Sequence, residues 1–337
     1  MSDVVITLLA VLAVAVFYYG PRVLITLAVS LATAFITEFI CLRLIGQKKH
    51  EKYDFSHIIT ALIITLLLPP AVEFWMPAVS VIVALCVAKF PFGGLGNNIF
   101  NPAAAGLAFV GLCWPELIFK YCAPGTTLSL FSTQIVEKAS PLDTLAKEGT
   151  PRIDYMDALL GNFPGAAGAT AVMVLAACGI YLILRRTISI EIPLTIFAAS
   201  SFFAVVHQRV NTGYADSLMY ETIAGTLIFG AVFMANDPST IPHTSKGRLI
   251  FGALLGVFAM LFRYFGVNDF GFLYALLIVN ALSDFCDRAG EKLAKYIKRY
   301  AERLWGFIRR NIKTLLLKLK KVVGSYIANI VRKGGER

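Results

Sequence analysis

The sequence predicts an all-α polytopic membrane protein of about ten transmembrane helices in two groups of five, followed by an amphipathic helix. Three observations predict it. Of 337 residues, 57% are hydrophobic and only 15% charged, with a mean hydropathy of +0.71, a balance found in integral membrane proteins rather than soluble domains. Ten apolar runs follow one another along the chain. A long polar connection, Trp114–Pro164, separates the first five from the last five.

The runs cover roughly 4–19, 22–45, 55–69, 72–90, 98–113, 165–184, 190–208, 217–235, 248–265 and 270–285. A span needs about 20 residues, so the third, fifth and tenth are expected to be tilted, broken or partly re-entrant. The first run, Val4–Tyr19, lacks a basic leader and the second follows almost at once, which predicts a retained span rather than a cleaved signal. Four regions result: a first membrane half (1–113), the connection (114–164), a second membrane half (165–285) and a tail (286–337). Five spans per half require any structural repeat to be inverted. Asn101-Pro102 ahead of Gly106–Gly111, and Asp237-Pro238 ahead of Gly247–Gly252, are the sequence support for such a repeat.

The net charge of +10 is carried by the tail, which from Cys286 onward holds fifteen Lys or Arg against four acids. A basic segment directly after a membrane span marks the cytoplasmic face and anionic lipid rather than nucleic acid. Ten spans then place both termini in the cytoplasm and the 114–164 connection outside. Lys48, Lys49, Lys52, Lys246 and Arg248 fall in inside loops, while Arg22, Arg209 and Arg263 are isolated external cations. Tail positions Leu293, Ile297, Tyr300, Leu304, Ile308, Ile312 and Leu315 recur in steps of three and four, predicting an amphipathic helix on the inner leaflet. A helix that docks a partner protein fits the same pattern.

Phe90–Gly106 packs four glycines, two prolines and three asparagines into 17 positions between apolar runs. Such backbone cannot face lipid, because unpaired peptide groups in hydrocarbon cost several kcal/mol each; it must line a protein-buried cavity. It supplies Asn97, Asn98 and Asn101, and the matching stretch Met234–Arg248 supplies Asn236, Asp237, Ser239, Thr240 and Lys246. These groups suit a planar heterocycle or a hydrated cation; simple helix capping is the plainer alternative. Glu38, a carboxylate inside the second run, is a candidate for an ion pathway. The six cysteines form no C-x-x-C and no metal-ligand pattern, so no metal site is expected. No P-loop, complete dinucleotide fingerprint or nucleophile elbow is present, and no catalytic residue is assigned.

Several stretches taken together resemble one family, the D subunit of the Rnf electron-transport complex and its relative, the B subunit of the sodium-pumping NADH:quinone reductase. They are Asp3–Ala10, Ala34–Glu38, Leu66–Pro70, Phe92–Gly106, Ser140–Asp143, Leu160–Gly165, Arg185-Arg186 with Ile192-Pro193, Met234–Pro238 and Lys246–Gly252, which together span residues 3 to about 285. The resemblance implies a multi-pass subunit of the prokaryotic inner (cell) membrane. Its partners would be the other membrane and iron–sulfur subunits of an ion-translocating ferredoxin:NAD+ oxidoreductase, and electron relay would be coupled to Na+ or H+ transport. It also implies FMN attached through a phosphoester by a flavin transferase, with a non-covalent flavin such as riboflavin as a second cofactor.

Carried onto this chain, the attachment position is Ser140, in Glu137-Lys138-Ala139-Ser140-Pro141. Lys138 replaces a small residue and Ser140 the usual threonine, but serine offers the same oxygen nucleophile. A hydroxyl between a small residue and proline in a loop is expected to be accessible. The family's N-terminal extension is nearly absent, which is expected to remove part of the non-covalent flavin site. A transporter or channel built on the same inverted repeat, without redox chemistry, is the alternative reading.

Overall fold

The computed structural model describes residues 1–45, 55–94, 96–126, 128–131, 134–149, 153–209, 213–223, 225–266 and 269–296, with a few single positions up to 309. Among these residues the chain is helical, and its one extended pairing is an isolated antiparallel bridge between Tyr121 and Lys138. Met1–Asp287 form one compact unit, and Arg288–Arg337 a second. Positions 288–296 of the second are helical; of the predicted apolar stripe only Leu293 lies among the described residues.

Helices α1 (Ser2–Tyr19) and α2 (Arg22–Ile45) are parted by Gly20-Pro21, with Gly20 at φ +78°. Helix α3 (Ser56–Leu67) stops ahead of Pro69-Pro70, where Leu68 turns extended, as the residues preceding a proline tend to do. Helix α4 (Trp75–Val83) widens into a π-helical turn, Ala84–Lys89, and ends in a 3-10 turn, Phe90–Phe92. Asn101 then caps α5 (Pro102–Cys113), its side chain accepting from the Ala104 N–H, with Pro102 in the first helical position, where its missing donor costs nothing.

The long connection carries three short helices, α6 (Pro115–Ile118), α7 (Pro141–Glu148) and α8 (Tyr155–Leu160). After it come α9 (Val172–Leu184), α10 (Glu191–Val206) and α11 (Tyr214–Ile223). Helix α12 (Leu227–Phe229) runs into a second π-helical turn, Gly230–Met234. Helix α13 (Ser245–Phe265), capped by Thr244, and α14 (Gly271–Ala281) complete the unit.

Every predicted apolar run contains a helix, but the helices differ in reach. Ser2–Tyr19, Arg22–Leu44, Trp75–Phe92 and Ser245–Phe265 are long and apolar enough to cross a membrane; α11 and α12, bent by 62°, make a fifth if they form one span. Ser56–Leu67, Pro102–Cys113, Val172–Leu184, Glu191–Val206 and Gly271–Ala281 are apolar but shorter. The sixth apolar run starts at 165, yet its helix begins only at Val172. The backbone before it is not helical and docks on the end of α3, with Ala167 N–H donating to Leu68 O at 3.1 Å and Gly168 N–H to Leu66 O at 2.6 Å.

Helices α10 and α13 pack closely because α13 presents glycine at the crossing. A Cβ on Gly252 would overlap Thr195 Oγ1, and one on Gly256 would lie 2.7 Å from Ile196 O, a small-xxx-small approach common between membrane helices. Large apolar side chains such as Phe17 (83% exposed) and Phe265 (85%) face outward, as lipid-facing surfaces require and water-facing ones rarely show.

Candidate functional site

The two π-helical turns are followed by the two polar stretches singled out in the sequence, and the structure brings both to one cavity of about 230 Å³. A π-turn inserts one residue into the helical register and is frequent at functional sites. At the end of the first one stands Lys89, only 1% exposed. Its ammonium donates to Ser56 Oγ at 2.7 Å and to Glu38 Oε1 at 3.2 Å. The other carboxylate oxygen of Glu38 meets His57 Nδ1, and His57 lies edge-on to Phe35 with ring centroids 4.6 Å apart. The buried carboxylate of α2 therefore has its countercharge at the end of the first π-turn and a titratable ring on α3, as a charge placed inside a membrane protein requires.

Lys89 reaches the cavity wall beside Asn98, Asn101, Asn236, Asp237 and Ser239. Asn101 donates its side-chain amide to Met234 O at 3.2 Å, tying α5 to the end of the second π-turn. Asn236 closes its own π-turn by donating to Ala231 O at 3.2 Å, and its Oδ1 accepts from Ser189 N–H and Oγ–H at 3.2 and 2.9 Å. Asp237 accepts from Ser239 N–H at 3.1 Å, and burial nonetheless pushes its carboxyl above the usual range. Asn98 is buried, and its Oδ1 has no partner among the described residues. An orphaned acceptor in a cavity wall is what a hydrogen-bonding ligand would satisfy. Asn97 is not part of this wall; it is exposed. Apolar Ile59, Ile63, Val232 and Phe233 complete the lining, giving the mainly apolar wall with a few convergent polar groups that marks small-molecule sites.

Ser140 lies elsewhere, among the residues of the long connection. It is buried rather than accessible, at 5% exposure, because it caps α7 by accepting from Asp143 N–H at 3.2 Å and donates its hydroxyl to Asp269 Oδ1 at 3.1 Å. Thr226 Oγ donates to the Asp269 carbonyl at 2.9 Å. Burial pushes the Asp269 carboxyl up, against the Tyr121 and Ser140 hydroxyls and the Arg263 charge, which pull it down. The void beside Pro141 and Asp269 measures about 10 Å³, room for a water molecule at most.

The cations expected as isolated charges are bound. Arg22, fully buried, donates to the carbonyls of Ser129, Leu130 and Val72 at 3.0, 3.2 and 3.1 Å. Arg209 pairs with the buried Glu221 at 2.9 Å, and Arg263 stands 3.6 Å from the same carboxylate. Sequence reasoning missed Lys89, His57 and Asp269. For Lys89 there was a signal: a buried Glu38 demands a cation, and Lys89 is a lysine at the junction of an apolar run and a glycine-rich break. Nothing local to Ser140 points to Asp269, 129 residues away.

Fold and cavity together define a helical membrane protein organised around paired helix breaks. The chain belongs to the NQR2, RnfD, RnfE family, which it matches over residues 1–294. It is 31% identical over 303 residues to the D subunit of the ion-translocating oxidoreductase complex of Haemophilus influenzae, covering 79% of this chain and 84% of that one. It is 29% identical over 282 residues to the D subunit of the proton-translocating ferredoxin:NAD(+) oxidoreductase complex of Clostridium ljungdahlii, covering 81% and 84%. The corresponding D subunit of Halorhodospira halophila is 29% identical over 319 residues, covering 85% and 88%. The resemblance read from the sequence is therefore shown at the level of the family.

Proposed function

We propose that this chain is the membrane-embedded D-type subunit of an Rnf-type ion-translocating ferredoxin:NAD+ oxidoreductase, relaying electrons within a complex that moves Na+ or H+. The observation that carries the reading is the convergence of two helix breaks on one cavity whose wall holds Lys89, Asp237 and the unpartnered Asn98 carbonyl. Such a wall fits the polar edge of a non-covalent flavin such as riboflavin: Asn98 as acceptor, Lys89 as cation, and Val232 and Phe233 against a ring. A flavin held there would supply one-electron chemistry, and the protein would set its position and electrostatics. Glu38, joined to the cavity through Lys89, is the ion-pathway candidate on this reading. The ten-span arrangement with two inverted five-helix repeats belongs to the same proposal, supported by the paired π-turns. So do cytoplasmic termini, an external 114–164 connection in a prokaryotic inner membrane, and a tail on anionic lipid. The other membrane and iron–sulfur subunits of the complex are its partners.

Covalent FMN on Ser140, installed by a flavin transferase, is the second cofactor proposed. The hydroxyl suits a phosphoester, since it already donates to a carboxylate. The space around it does not admit the ring while α7 is docked, so attachment requires α7 to lift. Intact mass and in-gel flavin fluorescence of the denatured chain, co-expressed with the transferase, test this: one FMN adduct is expected, lost in Ser140→Ala. An unadducted wild-type chain would remove the covalent flavin. The close packing around Ser140 favours one other reading, an inverted-repeat transporter or channel without redox function. Extraction of non-covalent flavin from the purified complex decides between them, since the transporter would carry none.

A further inference from the structure

We propose that Cys41 and Cys86 form an oxidisable dithiol whose disulfide fastens the first π-helical turn to α2. Their sulfur atoms lie 3.5 Å apart, in contact between segments 45 residues apart in the chain. Both cysteines are free; Cys41 is buried and Cys86 exposed. That asymmetry assigns roles. An oxidant arriving from the membrane phase meets Cys86 first, and Cys41, shielded but already in contact, resolves the adduct.

The position of the pair gives the bond a consequence. Cys41 lies one helical turn beyond Glu38 on α2, and Cys86 lies within the π-turn that ends at Lys89. The thiol contact and the Lys89–Glu38 ion pair are thus neighbouring links between the same two segments. A disulfide is about 2.05 Å long with a fixed dihedral preference, so forming it draws α2 and the π-turn together and removes their freedom to slide. Lys89 would then be held against Glu38 rather than free to follow the cavity. In the reaction both S–H bonds break and one S–S bond forms. Two protons and two electrons pass to a membrane-permeant two-electron oxidant of the azo or quinone class.

The test uses the full-length protein in native membranes, treated with diamide, blocked with a maleimide, digested and analysed by mass spectrometry. A Cys41–Cys86 linked peptide is expected, with loss of maleimide labelling at Cys86 that dithiothreitol restores and that neither Cys41→Ser nor Cys86→Ser shows as a linked species. Hydrogen exchange across 84–94 should slow on oxidation of the wild type and stay unchanged in diamide-treated Cys41→Ser. Continued labelling of Cys86 after diamide, linkage to Cys113, Cys122, Cys178 or Cys286 instead, or exchange that does not change on oxidation would each overturn the proposal.

Discussion

Asn101, at the head of α5, donates its side-chain amide to the carbonyl of Met234 at the end of the second π-turn, 3.2 Å away and 133 residues later in the chain. The same side chain accepts from Ala104 N–H. One residue thus starts a helix before the long connection and satisfies a freed carbonyl after it. Helix breaks survive at membrane depth only where neighbouring groups re-satisfy the backbone. Asn101 does so for Met234 and joins α5 to the second π-turn at the cavity.

Replacing Asn101 separates the two roles. Asn101→Ala removes both the cap, about 0.5–2 kcal/mol, and the bond to Met234, a further loss of about 1 kcal/mol. Asn101→Asp keeps an acceptor for Ala104 N–H but cannot donate to Met234 O when ionised. Thermal unfolding of the detergent-purified chain should rank wild type above both Asn101→Asp, which buries a charge against the Met234 carbonyl, and Asn101→Ala. An Asn101→Ala protein as stable as wild type would show that the bond to Met234 does not hold the breaks together.

The helices and the two polar stretches were legible because each signal is local. Apolar runs report burial, and clustered Gly, Pro and Asn between them report backbone that lipid would not tolerate. That Asn98, Asn101, Asn236 and Asp237 share one cavity, with Asn97 outside it, was not legible, since it depends on how two distant turns face each other. Glu38 was found as a lone carboxylate, but its partners His57 and Lys89 sit on other segments. The π-turn that swings Lys89 inward has no sequence signature comparable to a proline. For Ser140 the sequence suggested an open loop; the burial comes from Asp269 and from the capping of α7, neither of which a loop composition encodes.

Close packing of α10 on α13 makes Gly252 and Gly256 intolerant of side chains. At Gly252 a Cβ would meet the Thr195 hydroxyl and, at 2.8 Å, the Ile192 carbonyl; at Gly256 it would meet the Ile196 carbonyl at 2.7 Å, and neither carbonyl can rotate away. Gly252→Ala and Gly256→Ala should therefore each reduce folded yield, read as the monodisperse fraction in size-exclusion chromatography after membrane extraction. Yields equal to wild type would mean that the two helices can separate without loss.

Acid should weaken the link between α13 and the segment after α14 through Asp287. Its carboxylate accepts from His243 N–H and Thr244 N–H, both at 2.9 Å, and from Thr244 Oγ at 2.5 Å. Burial alone would raise this carboxyl, but the bonds from Thr244 and His243 outweigh it and hold the group below its ordinary value of 3.8. A depressed carboxyl contributes stability that is complete above the unfolded value and is lost as pH falls through the folded one. The contribution is therefore intact at neutral pH and disappears only below about pH 4. Asp287→Asn should lower the unfolding midpoint at pH 7 and narrow its gap to wild type as the pH is taken below that value. A gap that stays constant on acidification would assign the effect to packing instead of charge.

The buried Lys89–Glu38 pair makes the sharpest energetic prediction because its partners are so poorly solvated: the Lys89 side chain is 2% exposed and that of Glu38 11%. Breaking a buried pair by deleting one partner leaves the other charge uncompensated and costs about 3–5 kcal/mol, whereas removing both partners is often close to neutral. Lys89→Met should accordingly be strongly destabilising, with Glu38 left to His57 alone. Glu38→Gln should also destabilise, by taking the carboxylate countercharge from the Lys89 ammonium. The double variant Glu38→Gln/Lys89→Met should recover much of the loss, so that the single-variant effects do not add. Equilibrium unfolding of the four proteins in mixed micelles measures this coupling. Additive effects would mean that the pair is solvated in the native protein and that Lys89 does not depend on Glu38 to stand at the cavity wall.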